Sequence, residues 1–138
     1  MKIKTDNIFH VVELDASISE VYKALIDEKL HAKFTGMTAK IDPVVGGHFE
    51  TTDGESFGFI LHLAKNKKIV QAWSHKSFPA GYYSIVDIDL EKTDGGTRIN
   101  FNHIGVPEDK SGWLTEGWKR IYWIPLKSFL EEKVLQKH

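Results

Sequence analysis

From Leu114 to the carboxy terminus, apolar residues recur at Trp118, Ile121, Tyr122, Leu126, Phe129, Leu130 and Val134. This is the three-four spacing of a single helical face. A helix this long with such a face must lie on something apolar. Immediately before it, Gly95-Gly96-Thr97-Arg98-Ile99-Asn100-Phe101-Asn102-His103 reads as a turn and a strand. Almost everything further upstream also reads as strand, so the natural partner of the helix is the face of an antiparallel sheet. A sheet gripped by one helix is a container.

The rest of the chain fits that expectation. Ile8, His10, Val12 and Leu14 alternate with Phe9, Val11 and Glu13, as one strand with an inner and an outer side. Ser17-Ile18-Ser19-Glu20 is a capping-box pattern, in which the Ser17 hydroxyl and the Glu20 carboxylate each satisfy a backbone N–H at a helix start. Ile18, Val21, Tyr22, Leu25 and Ile26 form the buried stripe of that helix. Leu30, Ala32 and Phe34 point to a second short helix that stops at Gly36. Between Met37 and His103 the turn marks Asp42-Pro43, Gly46-Gly47, Asp53-Gly54, Lys65-Asn66-Lys67-Lys68, Pro79-Ala80-Gly81 and Asp94-Gly95-Gly96 separate five or six strands. Val86, Ile88 and Leu90, and then Ile99, Phe101 and His103, form one apolar sheet face, and the other face reads as largely wet. Pro125 cannot donate to the carbonyl of Ile121, so a bend in the last helix is expected there. The fold class is α+β, with element order β-α-α-β-β-β-β-β-β-α, in one domain spanning residues 1–138.

Composition excludes several function classes. Eighteen basic and nineteen acidic residues give a formal charge of -1, without the basic excess that binding to a phosphate backbone requires. Nucleic acid is not an expected partner. The absence of cysteine removes disulfides, thiolate nucleophiles and cysteine-based metal sites. No segment has the length or apolarity of a membrane span, and the amino terminus lacks the apolar core of a signal peptide, so no membrane association and a cytoplasmic location are expected. His10, His31, His48, His62, His75, His103 and His138 occur singly, without the spacing that puts two ligands on one face, so no metal site is expected.

Several fragments together resemble the START-like (SRPBCC, helix-grip) superfamily, and within it the family similar to the activator of the heat-shock-protein-90 ATPase. They are Ile18-Ser19-Glu20-Val21-Tyr22-Lys23-Ala24-Leu25, Val45-Gly46-Gly47-His48-Phe49-Glu50, Ile69-Val70-Gln71-Ala72-Trp73, Gly96-Thr97-Arg98-Ile99 with His103 and Gly105, and Gly117-Trp118 leading to Leu126 and Phe129-Leu130-Glu131. The match covers roughly residues 7 to 132, and independent short motifs in one order multiply their weight. The resemblance implies a curved antiparallel sheet wrapped around the carboxy-terminal helix, with a cavity between them that in relatives accepts apolar or aromatic small molecules. It is to the carboxy-terminal domain of the namesake co-chaperone. No cofactor is implied.

Aromatic residues reach 12% of the chain. Phe59, Trp73, Tyr83, Phe101, Trp118 and Tyr122, with His103 and Leu126, are the expected wall of a cavity between sheet and helix. His103, beneath the helix with Ile99 and Phe101, is either an orienting or acid-base group or a core histidine bonded to its own protein. Trp113 and Trp123 fall nearer the edge of the helical stripe, at a cavity mouth or a subunit contact. Glu50 and Glu55 flank the Asp53-Gly54 turn, and one of them can reach the rim, although a lone surface carboxylate is the commoner case. The leading functional expectation is binding of a small hydrophobic or aromatic molecule. The second is a chaperone-associated or self-associating interaction module using the outer sheet face or the Trp113 region, and the third is an enzyme of the cyclase or dehydratase type with His103 as acid-base residue.

Overall fold

The computed structural model describes residues 2–136, with side chains through Glu132, so the expected contact of Val134 and the terminal His138 lie outside the described residues. The chain opens with β1 (Thr5–Leu14), α1 (Ile18–Ile26) and α2 (Glu28–Thr35). Ser17 caps α1 by accepting the Glu20 N–H at 3.2 Å. The Glu20 carboxylate departs from the expected box, since it accepts the Ser17 hydroxyl at 3.1 Å and not a backbone N–H. Asp27 caps α2 by accepting from the Lys29 and Leu30 amides, and Gly36 ends it at φ 71°, a left-handed conformation that glycine adopts without a Cβ penalty.

Six strands follow: β2 (Lys40–Ile41), β3 (His48–Thr51), β4 (Ser56–Ala64), β5 (Lys68–His75), β6 (Ser84–Thr93) and β7 (Gly96–Pro107). They pair as an antiparallel meander, and β1 joins β7, giving one seven-stranded sheet in the order β1-β7-β6-β5-β4-β3-β2. This is the expected element order. The inner face buries Ile8, Leu14, Phe49, Ile60, Ile69, Val86, Ile88, Leu90, Ile99 and Phe101. Gly58 lies on this face because a Cβ there would collide with the Ala72 carbonyl oxygen of β5 and press on the Phe49 ring. The outer face is less wet than expected: Phe59, Leu61, Tyr83 and Ile104 are all exposed on it, and Phe9 and Val11 extend the exposed apolar surface along β1.

The carboxy-terminal helix lies across the inner face as α3 (Ser111–Gly117), a π-helical segment (Trp118–Trp123) and α4 (Ile124–Gln136). Backbone angles stay helical at both junctions, near φ −60° and ψ −41° at Trp118 and φ −65° and ψ −50° at Ile124, so the helix is continuous. The Ile124 N–H reaches back five residues to the Lys119 carbonyl. Leu114, Trp118, Tyr122, Leu126 and Leu130 are all buried. A strict spacing of four drifts about 40° per step around a 3.6-residue helix, so five such residues cannot share one face of a straight one. The widened turn takes up part of that drift, and Pro125, which lacks an N–H, follows directly after it. It also turns Trp123 inward, where it is buried and not at the stripe's edge as expected. No described helix is long and apolar enough to cross a membrane.

Candidate functional site

Most of the space between sheet and helix is filled. Beneath α4, Leu126 is 0% exposed and packs with the rest of the core, and α1 and α2 close that end. Phe101 is also fully buried, with its ring 4.5 Å from Trp118 and 5.0 Å from Trp123. These two expected cavity residues are core. Between Trp73, Tyr122 and His31 about 20 Å³ remains, room for roughly one water.

His103 is bonded to its own protein, the second of the two roles expected for it. The Trp118 Nε1–H donates to its Nδ1 at 3.0 Å, which places the ring proton on Nε2 and lets Nε2–H donate to Ser84 Oγ at 2.7 Å. The Ser84 hydroxyl passes the chain on to the Trp73 carbonyl at 3.1 Å. Burial pulls its pKa down to about 3, and a second ring proton would meet the Trp118 donor. Both nitrogens are committed to protein partners, so His103 is a neutral structural pin with no lone pair for acid-base chemistry. His10 repeats the motif nearer the sheet edge, accepting the Trp123 Nε1–H on Nδ1 at 2.9 Å.

Two other expected residues face the wrong way. Phe59 is 42% exposed and Tyr83 41%, their rings 6.3 Å apart on the outer face. Strand parity explains both, since Gly58 and Ile60 of β4 and Ser84 and Val86 beside Tyr83 point inward and leave the odd positions outside.

Open space lies instead at the amino-terminal half of the helix, in a cleft of about 240 Å³. Trp73, Trp118 and Tyr122 line it as expected, joined by Leu114, Ile121 and Met37. Trp73 and Trp118 rings lie 5.8 Å apart and Trp118 and Tyr122 4.5 Å apart, giving a continuous aromatic wall. Tyr122 donates to Thr51 Oγ1 at 3.4 Å, and burial raises its pKa to about 12. Gly117 contributes backbone only, with nothing within 4 Å of where a Cβ would stand.

The rim is polar. Thr52, Asp53 and Gly54 form the β3–β4 turn with φ of 51°, 59° and 83°, and a β-branched residue in that region is a strained choice of the kind that clusters at binding sites. Thr52 Oγ1 bonds Ser56 Oγ at 2.7 Å and Asp53 Oδ1 accepts the Thr38 N–H at 2.9 Å, so the turn is held from both sides. His75, Glu55, Arg120 and the half-exposed Trp113 complete the mouth. Glu55 and Trp113 were expected at the rim. His75 was not singled out, because only the pairing of β4 with β5, which sets Ser56 opposite His75, brings it there. Of the two carboxylates that flank the turn, Glu55 lines the cleft and Glu50 does not.

Comparisons with known proteins agree with this architecture. Residues 15–131 match the model of the family described as "Activator of Hsp90 ATPase homolog 1-like protein". The human activator of 90 kDa heat shock protein ATPase homolog 1 is 28% identical over 127 residues, covering 92% of this chain and 38% of that protein. The chain thus spans less than two fifths of the length of the curated relatives it matches. Among solved structures, an HSP90 activator from Plasmodium falciparum superposes with a TM-score of 0.83 at 19% identity, covering 91% of this chain and 96% of that one. The Aha1 dimer from Colwellia psychrerythraea gives 0.79 at 22% identity, covering 91% and 96%. At those identities the structures establish the helix-grip fold alone, while the family model extends over most of the chain. The protein belongs to the family of activator of Hsp90 ATPase homolog 1-like proteins.

Proposed function

We propose that this domain binds a small apolar or aromatic molecule in the cleft between the amino-terminal half of its carboxy-terminal helix and strands β4 and β5 with the turn that precedes β4. The observation that carries this reading is the contrast between a filled core and one open, aromatic-walled cleft of about 240 Å³. An apolar cavity of about 150 Å³ holds benzene. One ring or two fused rings therefore fit. At about 0.8 kcal/mol per buried carbon group, some ten such groups approach the −8.2 kcal/mol of a micromolar complex, before ordering costs are subtracted.

A two-ring probe such as 2-methylnaphthalene should bind saturably and quench tryptophan emission, because Trp73 and Trp118 are in the wall. Gly117→Leu should abolish this binding while the fold survives. Gly117 is helical, with φ −61°, and a Cβ there meets open space, so the leucine side chain enters the cleft and helix propensity improves by up to about 1 kcal/mol. Unchanged probe affinity in that variant, or no saturable binding to the parent protein, defeats the reading.

A second reading is a chaperone-associated or self-associating module. It is favoured by the exposed Phe59, Leu61, Tyr83 and Ile104 on the outer sheet face, an apolar surface of the sort that marks interaction sites. Leu61→Lys should then abolish association with an Hsp90-type ATPase or with a second copy, measured by sedimentation, without altering probe binding. Association that survives this change would place the contact elsewhere.

A further inference from the structure

The mouth of the cleft holds a pair of side chains that the aromatic wall does not account for. The β4–β5 register sets Ser56 opposite His75, and the Lys76 N–H donates to the Glu55 carbonyl at 2.9 Å, so backbone pairing fixes both residues at one edge of the cleft. The Ser77 backbone N–H donates to His75 Nδ1 at 3.0 Å. Nδ1 is therefore an acceptor, and in the neutral ring the proton sits on Nε2. That Nε2 lies 3.9 Å from Glu55 Oε2, too far for a direct hydrogen bond. Around the ring, Trp73 stacks at 6.0 Å with a 23° interplanar angle, and Trp113 stands edge-on at 4.8 Å.

A donor and an acceptor 3.9 Å apart, flanked by aromatic rings, have one simple complement. A hydroxyl oxygen about 2.8 Å from each atom accepts from Nε2–H and donates to the carboxylate. The pair itself favours a neutral group over an ion, because the Glu55 carboxylate repels an anion at this point and the Nε2–H, with Lys76 and Lys110 near the imidazole, disfavours a cation. We propose that the cleft selects aromatic molecules bearing a hydroxyl group, with His75 Nε2–H donating to the hydroxyl oxygen and the Glu55 carboxylate accepting its proton. This rests on the ligand-binding reading above and adds the chemical class of the ligand.

The test compares two probes of matched shape, 2-naphthol and 2-methylnaphthalene, by chemical-shift titration of isotopically labelled protein. The parent protein should bind 2-naphthol at least five-fold more tightly. Glu55→Ala and His75→Phe should each bring the two probes within two-fold of one another, chiefly by weakening 2-naphthol. Glu55 has an exposed side chain, so its variant decides the matter even if His75→Phe fails to fold. Equal affinities in the parent protein would overturn the hydroxyl proposal and leave the cleft standing. A preference that persists in the folded variants would overturn its assignment to this pair. Binding of neither probe would remove the cleft reading and the hydroxyl proposal with it.

Discussion

Acid should unfold this domain through its buried imidazoles, and His103 allows the effect to be sized. His103 is 0% exposed, and burial lowers its pKa from 6.5 to about 3; His31, buried against Phe34 and Tyr122, is lowered to about 4. Between pH 6.5 and these folded-state values the unfolded chain takes up protons at both residues and the folded chain does not. Stability is therefore fully present above pH 6.5 and is lost as pH falls below it. Each pH unit within the window costs about 1.4 kcal/mol per histidine. From pH 7.5 to 4.5, His103 and His31 together should remove about 5 kcal/mol, a large share of the 5–15 kcal/mol that holds an ordinary domain. Urea denaturation at the two pH values measures this directly. In His103→Gln the fall should shrink by about 2 to 3 kcal/mol, even though the variant starts lower because the Trp118 and Ser84 bonds are disturbed. An undiminished fall in that variant would show that His103 is not held neutral by the fold.

Two further substitutions test the packing that positions the cleft. Leu126→Ala, at a fully buried position beneath α4, should cost about 2–5 kcal/mol in chemical denaturation, whereas Lys127→Ala, losing only an exposed contact with Glu131 and the Glu13 carbonyl, should cost under about 0.5 kcal/mol; equal losses would mean that the helix face is misassigned. Gly58→Ala should cost several kcal/mol or prevent folding, because the added methyl collides with the Ala72 carbonyl and β4 cannot yield without breaking its pairing with β5; a stable variant would show that the strands separate more easily than this packing implies.

Much of the fold is written in local sequence pattern. The alternation through Val86, Ile88 and Leu90 and through Ile99, Phe101 and His103 is reproduced residue by residue in the burial of β6 and β7, because a strand has only two faces to offer. The same parity, extended one residue past Ser84 and one short of Ile60, places Tyr83 and Phe59 outside, so their facing too is written in the sequence. The π-helical segment also left a trace, in the every-fourth spacing from Leu114 to Leu130 together with Pro125. At the mouth of the cleft Trp113 and Glu55 left a trace in the sequence, but the pairing of Glu55 with His75 left none. His75 and Glu55 are twenty residues apart and meet only through the register of two strands, and the commitment of both His103 nitrogens depends on Trp118 and Ser84, which approach from different elements.

Where the cleft lies follows from where side-chain volume is supplied. Toward α4, the helix pair α1 and α2 packs over the grip, and Tyr22, Leu25 and Phe34 add their bulk to that of Leu126 and Leu130. Neither α1 nor α2 lines the opposite end, and there the chain places Gly117 on the helix and Ser56 on the sheet, small residues next to Trp73 and Trp118. Large rings held rigid by hydrogen bonds cannot collapse into the space beside them: Trp118 is tied to His103, and Tyr122 to Thr51. A core of flexible aliphatic side chains would relax to fill such a gap, whereas one of pinned aromatic rings keeps it open. The buried His103 thus supports the cleft indirectly, through the bond that holds the Trp118 ring in its wall.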